Sequence, residues 1–477
     1  MAAERPNILL ITTDQQRFDT IAALGNRSIY TPHLDWLAQT GVAFTRCYSD
    51  CPICMPARVT LMTGLAACRH GLTGNENTKT PLAEHDTLPG LLTRSGYQTK
   101  SCGKLHFHPM RANYGIESAE LPMDYFTEMR RLGKPHSRMH GVGENEVTPV
   151  LSSLEERDTL IHWTVDRSLN FLETRDPTRP FFLWTSFAKP HPPFDPLLSY
   201  WELYRDIPMD APALGDWTQG EGAGGFFPPT FMQPHTAFTL SPRQQQAMKR
   251  AYYASITQID YNLGLLLARM REMNLLENTW ILFTSDHGDM LGDHGMIAKS
   301  VFFEGSAHVP MILKPPAAFG EHSPVMRPGR CDLPVTLADV FPTLLARCAV
   351  EHGPVDGRDL LEILETGEER TLYGTCQDRY YMILEGPWKY TWAALGGKEL
   401  LFDLSKDPYE QHDLAADPAC AGIREKLARK LASSMEAHGD SCARNGALTP
   451  RGEAPRHGQE PLFPGLNTTL FPRDTFH

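Results

Sequence analysis

Short apolar runs recur along the chain, and each one stops at polar or acidic residues. Asn7 to Thr13 is closed by Asp14, Phe181 to Phe187 leads into Lys189-Pro190-His191, and Trp280 to Ser285 is closed by Asp286-His287-Gly288. Continuous runs of this length suit strands buried on both faces of a sheet. Between the last two, Met248, Tyr252, Ile256, Ile259, Leu263, Leu266 and Met270 fall at helical spacing, which predicts an amphipathic helix over residues 244–273. Strands alternating with helices predict an α/β domain on a mainly parallel sheet. Chemistry in such domains gathers at the carboxyl ends of the strands. Asp14, His191 and Asp286 all stand at predicted strand ends, so one crevice can collect them.

The texture changes after about residue 365. Trp388 to Trp392 and Glu399 to Leu404 read as antiparallel strands, and Ile423 to Ala437 as a helix packed on them. The expected division is 1–365 for a catalytic unit, 366–440 for a smaller α+β subdomain and 441–477 for an extended tail. Residues 206–242 are rich in Gly, Pro and aromatic side chains with little periodicity, which predicts a lid or binding loop.

Composition narrows the partners. A chain of 477 residues, 41% hydrophobic, supports a large core. Its 45 basic against 57 acidic residues leave a formal net charge of −12, with no general attraction for nucleic acid or anionic membranes. A bound anion therefore needs positive charge arranged locally. No run of about 18 apolar residues predicts a spanning helix. Met1 to Ile11 lacks a signal-peptide pattern, and the ten cysteines are scattered beyond residue 46, so a cytoplasmic protein with reduced thiols is expected.

Two readings compete for the segment Cys47 to Gly64. Cys47-x-x-x-Cys51-x-x-Cys54 has the spacing with which radical-SAM enzymes hold an iron–sulfur cluster, and Cys51-x-x-Cys54 alone is a redox-dithiol spacing. The other reading starts at Cys54-Met55-Pro56-Ala57-Arg58, followed by Thr60, Leu61, Thr63 and Gly64. Pro56 is favourable in the first turn of a helix, whose free N–H groups and positive end would face Cys54. Arg58 can hydrogen-bond a nucleophile there and offset its charge.

This second pattern resembles the sulfatase signature, C-x-P-x-R ending in a threonine-glycine pair, within the alkaline-phosphatase-like superfamily. The resemblance implies a large mixed, mainly parallel sheet flanked by helices, with Cys54 oxidised to formylglycine by a maturation enzyme. The hydrated aldehyde would then be the nucleophile that cleaves a small-molecule sulfate ester. Hard oxygen ligands with an imidazole suit a divalent metal, and the candidates are Asp14 with Gln15 and Asp286 with His287. The resemblance sets the metal between these two strand ends, with residue 54 as a further ligand. Many sulfatases show Asp-Asp and Asp-Asn at these places. The Asp-Gln and Asp-His pairs look like those of choline-sulfatase-like members and of phosphonate monoester or phosphodiester hydrolases. Calcium is the usual ion of the family, and an imidazole ligand brings in manganese.

Gly103-Lys104-Leu105-His106 resembles the family's G-K-x-H. On a strand, residues two apart face the same way, which would send Lys104 and His106 into one pocket. The resemblance further implies a substrate-binding His191 in Ser186 to Pro193, a Lys299 that bridges sulfate and nucleophile, and, by distance after Cys54, Asn75. Keeping Lys104 and His106 favours a sulfate monoester over the phosphonate or phosphodiester alternative. Val355 to Leu360 and Leu401 to Leu404 with Asp407-Pro408-Tyr409-Glu410 carry the resemblance from about residue 5 to 415. The tail lies beyond it, and a homo-oligomer would form through that segment. His108, His162, His294 and His308 read as structural or peripheral.

Overall fold

A computed structural model describes residues 5–75, 82, 86–112, 114–136, 138, 142–218, 226, 240–320 and 325–452. The principal strands are β1 (Asn7–Asp14), β2 (Val42–Tyr48), β3 (Gln98–Gly103), β4 (Ser118–Glu120), β5 (Phe181–Pro190), β6 (Thr279–Ser285), β7 (His308–Lys314), β8 (Gly329–Cys331) and β9 (Val335–Thr336). They form one sheet in the order β4-β3-β5-β1-β6-β7-β2-β8, with β9 also paired to β2. Strand β1 runs parallel to both β5 and β6, β3 runs parallel to β4 and β5, and β2 runs parallel to β8 and β9. Only β7 is reversed, against both β6 and β2. The sheet is mixed and mostly parallel.

Side-chain alternation sorts the apolar runs onto two faces. Ile8, Leu10, Phe182, Trp184 and Leu282 meet Val59, Leu61, Phe341 and Leu344 on one side. Leu9, Ile11, Leu183 and Phe283 meet Ile259, Leu263, Leu266 and Val165 on the other. Both faces are covered, so the strands read as unbroken hydrophobic runs. The long helix spans Pro242–Glu272, starting two residues before the expected position 244. Its start is set by a capping box: Gln244 N donates to Ser241 Oγ and Ser241 N to Gln244 Oε1, with Pro242 in the first turn.

A second sheet follows as an antiparallel meander of β10 (Leu372–Cys376), β11 (Tyr380–Glu385), β12 (Trp388–Ala393) and β13 (Lys398–Asp403). Helix Ala421–Ala437 packs Leu427, Leu431 and Met435 onto one face, against Tyr381, Ile383, Tyr390 and Leu401. The other face lies on Tyr48 at the end of β2 and on Ile53, Val301 and Phe303 of the main sheet's loops. Charge ties the two bodies as well. Lys389 Nζ, fully buried, sits 2.7 Å from Glu304 Oε1 and 2.8 Å from Glu410 Oε1, and Glu304 also accepts from Tyr48.

In the expected lid, residues 219–225 and 227–239 lie outside the described residues. Its first part is docked: Trp217 Nε1 donates to Glu410 O at 2.7 Å, and its ring packs on His294, Phe303 and Phe402. Of the expected tail, residues 453–477 lie outside the described residues, while Ala443–Arg444 and Ala447–Leu448 pair as a short hairpin. Among the described residues no helix is long and apolar enough to cross a membrane.

Candidate active site

The carboxyl ends of four adjacent parallel strands converge. Thr13 pairs with Ser285 and Asp14 with Pro190, which sets Asp14 beside Asp286 on one side and His191 on the other. Beyond β1 the backbone of Gln15 turns into the left-handed region at φ 73, and its N–H donates to Asp286 Oδ1 at 3.1 Å. Cys54 opens the helix Cys54–Thr63, of which every residue is buried. Its Sγ lies 3.1 Å from His287 Nε2 and 3.9 Å from Asp14 Oδ1. His287 Nδ1 is 2.9 Å from Gly288 O, a contact that turns Nε2 toward the thiol. The helix begins at Cys54 itself, two residues before Pro56. Met55 N is satisfied by Asn75 Oδ1 at 3.0 Å, so Asn75 holds the helix start that carries the thiol.

Arg58 lies one turn along that helix with its guanidinium out of solvent. It donates to Asp286 Oδ2 at 2.8 Å, Asp14 Oδ2 at 3.3 Å, Lys104 O at 2.6 Å and Ser186 Oγ at 2.9 Å. Lys104 Nζ is 2.6 Å from Asp14 Oδ2, and Lys299 Nζ donates to Gln15 Oε1 at 2.6 Å. Burial opposes ionisation of Asp14, yet Lys104, Arg58 and Lys299 hold it well below the usual carboxylate range. Burial and Asp14 would raise the Cys54 thiol, but Lys299, Lys104 and His287 pull it well below its ordinary value. Burial, with Lys299 and Lys104 nearby, drives His191 well down, so its imidazole is neutral. A net acidic chain has built a local cationic pocket here.

The donor atoms of Asp14, Cys54, Asp286 and His287 all lie within 4.8 Å of one another. Two carboxylates and an imidazole beside the thiol form a set that fits a hard divalent cation. Cys47 and Cys51 are not part of it. Cys47 points from β2 to Met311 Sδ, and Cys51 Sγ contacts Thr73 O, so the cysteine triplet does not converge as a cluster would require.

Strand alternation does not place Lys104 and His106. Strand β3 ends at Gly103, at φ 102, where a Cβ would lie 1.9 Å from Ser186 O. Both residues belong to the loop that follows, tied to β5 by Lys104 N to Ser186 O at 2.9 Å. His106 has φ 57, and its Nδ1 is buried without a hydrogen-bond partner among the described residues. His162 bonds Asn262, and His308 bonds Glu304 and stacks on Phe18, both away from the thiol. Two residues of the site carried no signal of their own. Ser186 Oγ joins Arg58 to Lys104 O and Thr12, and Asp289 accepts from Gln15 Nε2 at 2.5 Å. Their partners lie far off in sequence.

The chain matches the family model for sulfatases over residues 6–349. An arylsulfatase of Clostridium perfringens is 32% identical over 443 residues, covering 86% of this chain and 90% of the relative. A choline-sulfatase of Rhizobium meliloti is 30% identical over 457 residues, covering 88% and 84%. The fold superposes on the crystal structure of a phosphonate monoester hydrolase of Agrobacterium radiobacter with a TM-score of 0.78 and 28% identity, covering 91% of this chain and 96% of that one. Motif, sheet order and relatives agree: the chain belongs to the sulfatase family and is a sulfuric ester hydrolase.

Proposed function

We propose that the protein hydrolyses a sulfate monoester, with a formylglycine made from Cys54 as nucleophile and one divalent cation held by Asp14, Gln15, Asp286 and His287. The observation that carries this reading is the meeting of Cys54 Sγ with the donor atoms of Asp14, Asp286 and His287 beside three cationic side chains, Arg58, Lys104 and Lys299. Cys54 Sγ marks the place that a hydroxyl oxygen of the hydrated aldehyde would take. A formylglycine supplies two hydroxyls on one carbon, one to attack sulfur and one whose deprotonation lets the aldehyde reform. A bound cation, calcium or manganese, supplies charge that favours the ionised hydroxyl.

The remaining work falls to side chains already in place. Arg58 aligns Asp14 and Asp286 and balances their charge. Lys104 and Lys299 neutralise sulfuryl oxygens as charge redistributes. His191 is neutral beside these lysines. A bound anion raises its proton affinity, which prepares it, or Lys299, to protonate the departing oxygen. His106 Nδ1 or Asp286 accepts the proton that frees the product. In this reading residues 1–365 form the catalytic unit, residues 366–440 brace its loops, and the tail, 441–477, is the subunit contact. The maturation enzyme is the required partner.

The structural likeness to a phosphonate monoester hydrolase motivates a second reading, a phosphonate monoester or phosphodiester hydrolase with the same site. Hydrolysis rates on matched aryl sulfate, phosphonate and phosphodiester substrates decide between them. The sulfate should be preferred, since Lys104 and Lys299 provide two ammonium groups for its oxygens. C54S should abolish multiple turnover, and a C54S enzyme with an unchanged steady-state rate would overturn the formylglycine reading.

A further inference from the structure

Gln15 faces two ways. Its Oε1 accepts from Lys299, whose charge acts on Cys54 and Asp14, and its Nε2 donates to Asp289 Oδ2. The two ends of a carboxamide are nearly the same size, so hydrogen-bond partners alone decide which end faces the site. Asp289, 1% exposed, supplies that decision. Its Oδ1 is committed to Leu291 N at 2.8 Å and Ala298 N at 3.0 Å, and its Oδ2 takes the Gln15 amide at 2.5 Å. As a carboxylate it only accepts. Gln15 must therefore turn its NH2 toward Asp289 and its oxygen toward the cluster, on a backbone already fixed at φ 73 with N–H on Asp286.

We propose that Asp289 is a positioning residue that locks Gln15 with its oxygen toward the cation, while pinning Ala298 beside Lys299. This rests on the divalent-cation reading above. The same carboxylate thus sets one metal ligand and one end of the loop that carries a substrate-facing lysine. It touches neither metal nor substrate itself.

Reversing the polarity at position 289 should reverse it at Gln15. In D289N the amide oxygen still serves the two backbone N–H groups, and the NH2 now meets Gln15. Gln15 must flip, presenting donors to both the cation and Lys299. Adding Q15E should repair this, because a glutamate accepts from the introduced NH2 with one oxygen and offers the other to the site. Q15E alone sets two carboxylates face to face and should bind the cation less well.

The test is calorimetric titration of the full chain with Mn2+ and with Ca2+, all variants carrying the same form of residue 54, together with melting temperatures without metal. Affinity should fall roughly 10–100-fold in D289N at an unchanged metal-free melting temperature, the usual scale for a lost outer partner of a ligand. It should recover in Q15E/D289N. If D289N does not fold, Q15E and Q15E/D289N carry the test, since the second change must raise the affinity that the first lowers. Wild-type affinity in D289N, or no recovery in the double variant, overturns the assignment. A wild-type protein that binds neither ion overturns the cation reading beneath it.

Discussion

Lys299 Nζ donates to Gln15 Oε1 at 2.6 Å across 284 positions of sequence. The lysine stands between two residues with left-handed backbone, Ala298 at φ 64 and Ser300 at φ 78, and Ser300 N is held by Pro52 O at 3.2 Å. It is built into the wall of the site, so its loss should be felt in the chemical step. K299A is expected to lower kcat by roughly 10²–10³-fold, the scale for deleting one preorganised donor. Steady-state kinetics check this. A rise in KM at unchanged kcat would make Lys299 a binding group only.

Arg58 is the counter-charge for two buried carboxylates. R58A leaves Asp14 and Asp286 facing each other without it, which should cost about 3–5 kcal/mol of stability in the metal-free protein. Denaturant unfolding with and without a divalent cation measures it, and the added cation should narrow the difference.

The carboxyl ends of β1 and β6 were readable in the sequence because both strands are continuous apolar runs stopped by an acid, and parallel pairing then places Asp14 beside Asp286. Cys54 and Arg58 were readable because one helical turn separates them. Asp289 and Ser186 were not, since each acts only through partners from distant segments. The reversal of β7 was likewise hidden: its apolar run is the same in either direction. His106 shows the limit of periodicity, because the alternation argument presumed a strand that stops at Gly103.

Burial pushes Asp50 up to about 6, while its Oδ2 accepts from Ala67 N at 2.6 Å. A raised carboxyl pKa means that the folded state holds the proton more tightly than the unfolded one between about pH 4 and 6. Stability contributed by this group is therefore greatest below that window, falls as pH rises through it and is level above. D50N keeps the bond to Ala67 without the buried charge. It should be more stable than wild type above pH 6, by up to roughly 3 kcal/mol, and the gain should vanish near pH 4. Melting temperatures across pH test the sign.

Cys54 is 1% exposed at the head of a helix that is buried along its whole length. If the thiol is converted as proposed, a maturation enzyme should not reach it in the folded chain. Folded, unconverted protein mixed with the maturation enzyme should keep its thiol, whereas co-expression should convert it. Intact-mass analysis of the Cys54 peptide reads the difference.

The reversed direction of β7 has a consequence for how the catalytic edge is supplied. Had β7 run with its neighbours, the chain leaving β6 would have had to cross to the far edge of the sheet before re-entering. Because β7 runs back, residues 286–307 never leave the near edge, and this single stretch carries His287, Asp289 and Lys299. The spacing between His287 and Lys299 is thus set by contour length along one short excursion. Lengthening that excursion by a single residue would move Lys299 relative to His287 while leaving every strand of the sheet in register.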